Sequence, residues 1–112
     1  MARKSTRSYS RYTRQALSLL GMLVRAGRTE RKMTAQELAD RAGISRDMLY
    51  RIEKGDPRCE LGAALEVAAI AGVTLFEPEL AGLQARGREA ADRLALLPKS
   101  VRKQAGEVKD DF

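Results

Sequence analysis

The sequence predicts an all-α fold of four or five helices. Apolar residues recur at steps of three and four along most of the chain, which is the spacing of amphipathic helices. Serine, threonine and glycine residues stand where these apolar runs begin and end, as helix caps do. Hydrophobic residues make up 44% of the 112 residues and aromatic residues 4%, which favours one small domain with an alanine- and leucine-rich core. A second large domain will not fit.

The first helix is predicted from about residue 11 to residue 30. Its core-facing stripe comprises Leu17, Leu20, Val24 and Gly27, flanked by Leu19 and Leu23. Residues 1–10 are small, polar and basic, which predicts a flexible basic arm. Such an arm either follows nucleic-acid backbones or serves as a solubilising tail, and the sequence leaves both roles open.

The middle of the chain predicts two short helices joined by a tight turn. Thr34 is placed to cap the first of them, with Glu37 three residues on to close a capping box. Gly43 suits the left-handed position that ends this helix, and Ser45 caps the next one, which ends at Gly55. A turn of three or four residues between such helices matches the helix-turn-helix unit, although any packed helical hairpin is the alternative.

A fourth helix is predicted over about residues 60–71, followed by further helical sequence. The fourth helix is expected to bury Leu61, Ala64, Leu65 and Ala68, and Phe76 is expected to cover the core. Residues 79–97 predict one or two helices, and their apolar positions have the spacing of a helix-pairing seam. The seam residues are Leu80, Leu83, Gly87, Ala90, Leu94 and Leu97. This seam either folds onto its own domain or joins two copies of the chain, and we favour the second interpretation.

The positive charge is concentrated at one end of the chain. The net charge is +6, but residues 1–32 hold nine basic residues against one acidic residue, whereas the remaining residues hold 12 basic and 14 acidic ones. This asymmetry indicates a polyanionic partner. Nucleic acid fits better than a membrane surface because no large apolar face accompanies the charge.

The sequence offers few residues suited to catalysis or metal binding. There is no histidine, so a general base near neutral pH would need a carboxylate or lysine with a strongly shifted pKa, and the usual zinc spacings are absent. The single cysteine, Cys59, has no partner for an internal disulfide. The apolar runs are too short to span a membrane, and the arginine-rich start lacks the apolar core of a secretory signal. We therefore expect a cytoplasmic protein that is not an enzyme and has no cofactor, metal or membrane partner.

A family resemblance narrows the choice between these helical arrangements. The residues that carry it are Thr34, Leu38, Ala39, Ala42, Gly43, Ile44, Ser45 and the run from Arg51 to Gly55, with Leu61, Leu65, Ala68, Gly72 and Val73 beyond them. From about residue 20 to residue 75 the chain resembles the XRE, or Cro/cI-repressor-like, DNA-binding domains. The resemblance implies a repressor-like DNA-binding domain over residues 11–78. The sequence beyond it predicts a helical extension over 79–97, for which dimerisation is the favoured role, and a flexible tail over 98–112.

The resemblance also implies which residues face base edges. These are Arg46, Asp47, Tyr50 and Arg51, at the start of the second helix of the unit and one turn later. Arginine suits this role because its planar fork matches the O6 and N7 acceptors of guanine. Asp47 either accepts from cytosine or only interacts with the helix dipole, and the dipole is the better explanation. Tyr50 either contacts thymine or phosphate or braces the core.

Phosphate contacts are expected at the helix ends, from Thr34, Gln36, Ser45, Lys54 and Arg58. Many members of the resembled family have glutamine directly after the capping residue, whereas this chain has Ala35, which predicts a weaker clamp there. The resemblance further implies a structural ion pair between Arg28 and Glu53.

These expectations converge on a homodimeric repressor that binds a palindromic operator in double-stranded DNA. One alternative is an antitoxin, because the ending from LLPKSVRK to DDF resembles the tails of HipB-like antitoxins that pair with HipA-like kinase toxins. Such a protein would neutralise a toxin partner and bind DNA to regulate its own operon. Another alternative is a pure interaction adaptor that uses the same fold without DNA.

Overall fold

The computed structural model describes residues 8–103, and within them the chain is entirely helical. The five helices are α1 (Arg11–Glu30), α2 (Ala35–Ala42), α3 (Arg46–Glu53), α4 (Leu61–Ile70) and α5 (Leu80–Ala95), and no strand occurs in this part of the chain. The predicted all-α fold is therefore confirmed. The predicted arm and tail fall partly on residues 1–7 and 104–112, including Phe112, which lie outside the described residues.

The chain divides into two compact units, with the boundary between Leu75 and Phe76. Helices α1 to α4 belong to the first unit and α5 to the second. No described helix is both long enough and apolar enough to cross a membrane.

The four largest fully buried side chains of the first unit come one from each of its four helices. These side chains are Val24, Leu38, Leu49 and Val67. Helix α1 packs against α3 and α4, and α2 packs against the same two helices. Phe76 is 69% exposed, so the expectation that it covers the core was wrong. Met33, Ile52 and four alanines complete the buried core, which contains no aromatic residue among those that the structure describes.

Helix α1 buries a narrower stripe than the sequence predicted. Val24 and Gly27 are buried as expected, but Leu19 and Leu23 are exposed. Gly21 is buried in their place. A Cβ atom added there would lie only 2.7 Å from the carbonyl oxygen of Ile52. The missing side chain lets the backbones of α1 and α3 come close together.

The predicted buried face of α4 was right for Ala68 and wrong for Leu61 and Leu65, while Ala64 is half-buried against the core. The helix buries Ala63, Val67 and Ala68, whereas Leu61 is 73% exposed and Leu65 is also exposed. Nearly every residue of this helix is apolar, so the periodicity of the sequence does not select one face. Packing against α1 and α2 selects it.

Candidate nucleic-acid interface

Helix α2 begins with the capping box that the sequence predicted. Thr34 Oγ1 accepts a hydrogen bond from the backbone N–H of Glu37 at 3.0 Å, and Glu37 Oε1 accepts one from the backbone N–H of Thr34 at 2.9 Å. The two bonds satisfy backbone donors that have no partner inside the helix. They fix the point at which the chain enters α2.

A three-residue turn separates α2 from α3. Gly43 has a φ of 72°, the left-handed conformation expected there, and the N–H of Ile44 donates to the carbonyl oxygen of Ala39 at 3.0 Å. Ser45 Oγ then accepts from the N–H of Met48 at 3.0 Å, which caps α3. Both caps predicted from the sequence are confirmed. The direction of α3 relative to α2 is therefore set by local hydrogen bonds.

Helix α3, like α2, ends at a left-handed glycine. Gly55 has a φ of 78°, and the N–H of Asp56 donates to the carbonyl oxygen of Arg51 at 2.9 Å. Leu49 and Ile52 point into the core, so one side of the helix is buried along its length. The opposite side is left for a ligand.

Arg28 and Glu53 lie together and link α1 to the last residue of α3. Arg28 Nε donates to Glu53 Oε2 at 2.7 Å, and Arg28 Nη2 donates to Glu53 Oε1 at 3.0 Å. Arg28 Nη1 also donates to the carbonyl oxygen of Met33 at 3.3 Å, just before α2. The side chains are only 16% and 11% exposed, and acceptance of these bonds by Glu53 raises the pKa of Arg28. One guanidinium thus joins α1, the entry to α2 and the end of α3.

Four side chains form the outward face of α3, which we call the α3 row: Arg46, Asp47, Tyr50 and Arg51. Arg46, Asp47 and Tyr50 are exposed, and the side chain of Arg46 makes no ion pair within residues 8–103. Lys54 extends the row by one turn, and its Nζ lies 5.4 Å from the centre of the Tyr50 ring. The row presents a cationic surface with an aromatic ring at its middle.

The side chain of Arg51 is less exposed than that of Arg46 and has an acidic neighbour. Its side chain is 37% exposed, and its Nη2 lies 3.6 Å from Asp47 Oδ2, one turn earlier on the helix. Its Nε is buried and has no hydrogen-bond partner among the described residues. An unpartnered buried donor is costly, so the position of this guanidinium is a compromise between packing and hydrogen bonding.

The five residues expected at phosphates occupy different local settings. The hydroxyls of Thr34 and Ser45 are occupied by the caps, and Lys54 is exposed. Gln36 Nε2 donates to Asp40 Oδ1 at 2.8 Å, along α2. Arg58 contacts Asp56, with Nε and Nη2 at 3.3 and 3.4 Å from its carboxylate oxygens.

Two carboxylates beside this surface, Asp40 and Asp56, were not anticipated from the sequence. The spacing of four residues between Gln36 and Asp40 on one helix was the signal for the first pair. At Asp56, the backbone N–H of Arg58 donates at 2.8 Å, and this bond, together with the bonds from the Arg58 side chain, lowers the pKa of the carboxyl group. Asp56 therefore holds the loop after α3 and shields part of the charge of Arg58.

Cys59 lies in the same loop, half buried. Its Sγ donates to the carbonyl oxygen of Asp56 at 3.2 Å, and burial raises the pKa of the thiol. A raised pKa disfavours the reactive thiolate. Within residues 8–103, no cluster of cysteine or carboxylate side chains is arranged to hold a metal ion.

Comparison with known proteins agrees with this geometry. Residues 19–83, more than half of the chain, match the family HTH_31, described as a helix-turn-helix domain. No curated protein and no solved structure is significantly similar to the chain. The match is consistent with an XRE-like regulator, and the helix-turn-helix DNA-binding family is typically non-enzymatic. The matched residues include α2, the three-residue turn and α3. The chain therefore belongs to the helix-turn-helix domain family.

Proposed function

We propose that this protein is a sequence-specific DNA-binding repressor that acts as a homodimer and inserts α3 into the major groove. The observation that carries the proposal is the α3 row. It lies on a helix that is capped at its start and closed by a left-handed glycine at its end. A rigid support of this kind lets a few side chains meet base edges in a fixed register.

Arg46 is the proposed principal base reader. It lies in the first turn of α3, where recognition helices contact bases, and its guanidinium is exposed without an ion pair among the described residues. A bidentate contact from arginine to guanine discriminates by about 1–3 kcal/mol. Arg51 is the second proposed reader, and to reach a base it must leave Asp47. Tyr50 and Asp47 are proposed to complete the base-contacting surface.

Phosphate contacts are proposed for the residues around α2 and after α3. Thr34, Ser45 and Gln36 lie at or near helix starts, where backbone amides and the helix dipole favour anions. Lys54 and Arg58 supply positive charge at the other end of α3. Binding through such contacts should weaken steeply with salt, because each neutralised phosphate releases counterions.

The second unit is the proposed dimerisation element. No residue of α5 is buried, although Leu80, Leu83, Leu94 and the nearby Leu97 follow the spacing of a helix-pairing seam. Pairing two copies along this seam would allow two α3 helices to enter successive major grooves, which lie about 34 Å apart. A dimer bound to such a palindrome would repress transcription by occluding a promoter.

Selection of bound oligonucleotides from a random pool tests the proposal directly. We expect a two-fold symmetric motif with a guanine in each half-site. Arg46→Ala should relax the preference at one base position, whereas Arg58→Ala should weaken binding to all sequences alike. Arg88→Ala removes the same charge from α5 and is the matched control, which should keep the wild-type motif.

Two results would contradict this assignment. Equal losses on operator and random DNA for Arg46→Ala and Arg58→Ala would remove the distinction between reader and phosphate contact. Failure of the protein to enrich any sequence at low salt would favour an interaction adaptor instead of a DNA-binding regulator.

The antitoxin remains a second candidate because of the tail sequence. Its supporting observation is the resemblance of the ending from LLPKSVRK to DDF, most of whose last residues lie outside the described part of the chain. In this case a second protein should copurify with the full chain and be lost when residues 98–112 are removed. The truncated chain should still bind DNA.

A further inference from the structure

Helix α1 carries a second apolar stripe that faces away from the core. The stripe, which we call the α1 outer seam, consists of Tyr12, Ala16, Leu19, Leu23 and Ala26. Its residues are separated by alternating steps of four and three, the spacing at which one helix pairs with another. Each member comes one residue before a position of the core-facing side, such as Val24 or Gly27. The helix therefore has two adjacent seams, of which one is used by the fold.

The exposure of this seam is not explained by the core or by the DNA interface. Leu19 is 53% exposed and Met22, beside the seam, is 59% exposed. The seam spans 15 residues from Tyr12 to Ala26, and the 14 steps between them at 1.5 Å each make about 21 Å. Single exposed apolar residues are normal, whereas a continuous row of them marks an interaction surface.

The surface has depressions on both sides of its C-terminal half, and each has an arginine in its wall together with Glu30, which lines both. One, of about 430 Å³, is lined by Met22, Arg25, Ala26, Thr29 and Glu30. The other, of about 310 Å³, lies between α1 and the turn after α4 and includes Leu23, Gly27, Arg31 and Val73. Shallow depressions beside an apolar ridge are suited to the side chains of a second helix packed along it.

The charge around the seam selects the kind of helix that fits. Arg11 and Arg25 are exposed on one flank and Arg31 on the other, while Glu30, at the last position, is the only acidic residue of α1. A second copy of α1 would bring arginines against arginines, which is unfavourable. DNA phosphates would suit the arginines but would leave the leucine and methionine side chains without apolar contacts.

We propose that the α1 outer seam is the docking surface for an acidic amphipathic helix of another protein. The apolar face of that helix covers Leu19, Met22 and Leu23, and its flanking carboxylates pair with Arg25 and Arg31. This is the helix-in-groove mode of recognition, in which apolar anchors recur at helical spacing. The inference does not depend on the proposed DNA function, since it uses a different face of the first unit.

A displayed library of helical peptides tests the proposal with the full chain as the bait. The library fixes leucine at seam spacing and allows glutamate, glutamine or lysine at the flanking positions. We expect selected peptides to be enriched in glutamate over lysine. Leu19→Ser should lower the affinity of a selected peptide by about tenfold or more, because it replaces an apolar anchor with a polar side chain. A factor of ten corresponds to about 1.4 kcal/mol. Met22→Ser is a second variant with the same expectation.

Two controls separate this surface from the others. Leu61→Ser makes the same change at an exposed leucine of α4, outside both proposed pairing surfaces, and should leave peptide affinity unchanged. Arg25→Glu should weaken glutamate-rich peptides and strengthen lysine-rich ones. DNA affinity of Leu19→Ser and Met22→Ser should equal that of the wild type, so a failure of DNA binding in the wild type would leave this test intact.

Four outcomes would overturn the proposal. The first is that selected peptides show no preference for glutamate, and the second is that their affinity is unaffected by Leu19→Ser and Met22→Ser. Loss of self-association in these variants, measured by sedimentation, would assign the seam to a second copy of the chain. Loss of DNA binding in both variants, with helical content retained, would assign it to nucleic acid.

Discussion

The pair formed by Arg28 and Glu53 allows a quantitative test of what holds the helix-turn-helix unit in place. Glu53→Ala removes two charge-assisted hydrogen bonds, and Arg28→Ala removes these two and the bond to Met33. Each substitution strands the partner at 16% or 11% exposure. Breaking a buried pair costs about 3–5 kcal/mol. Because residual exposure allows water to reach the stranded group, we expect the lower end, about 3 kcal/mol for each single variant.

Urea unfolding of the full chain, followed by circular dichroism, measures this cost. For a domain of this size about 1 kcal/mol corresponds to 4–8 °C, so each single variant should also melt about 12–24 °C lower. In the double variant no charge is stranded, and its loss should be smaller than the sum of the single losses by about 2 kcal/mol. Arg58→Ala, which breaks the pair of the exposed Arg58 with Asp56, is the control and should cost far less than either single variant.

The result that refutes the reasoning is additivity. If the double variant lost as much as the two single variants together, the pair would contribute no coupling, and the end of α3 would be held by Leu49 and Ile52 alone. Single losses below about 1 kcal/mol would place the pair among ordinary surface ion pairs.

Three other outcomes follow from the packing and the loop. Gly21→Ala should destabilise the first unit by about 1–3 kcal/mol because the new Cβ meets backbone carbonyls of α3, whereas Gly62→Ala has free space in α4 and should be neutral or stabilising in the same urea titration. Leu49→Ala should cost about 2–5 kcal/mol by thermal melting, and Leu61→Ala, on the exposed face of α4, should cost far less; similar losses would contradict the assigned face. Asp56 has a lowered folded pKa, so its stabilisation is complete above the ordinary value of 3.8 and declines as the pH falls through the folded pKa. The difference in unfolding free energy between wild type and Asp56→Asn should therefore vanish at low pH. A difference that stays constant with pH would contradict a stabilising role for the Asp56 carboxylate.

The helix ends were predictable because their chemistry is local. The capping box of Thr34 and Glu37, the left-handed Gly43 and the cap at Ser45 each join residues no more than five positions apart. Such bonds depend on residue type and spacing, which the sequence displays directly. The all-α fold and the boundaries of the helix-turn-helix unit follow from them.

The buried face of each apolar helix could not be predicted in this way. In α4 most residues are apolar, and in α1 two adjacent stripes have the same spacing, so the sequence offers several equivalent faces. The positions of neighbouring helices choose among them. Gly21 shows this clearly, because its lack of a side chain matters only where the carbonyl oxygen of Ile52 approaches.

The properties of the candidate site also separate into those set by helical spacing and those set by tertiary packing. The sequence by itself determined that Arg46, Asp47, Tyr50 and Arg51 share one side of a short capped helix, because helical spacing is enough for that. Only the tertiary structure decided that Arg46 makes no ion pair among residues 8–103 and that Arg51 is half buried. The physical reason is that burial depends on atoms brought together from distant parts of the chain, whereas caps, periodicity and the contact of Arg51 with Asp47, one turn apart, depend on near neighbours.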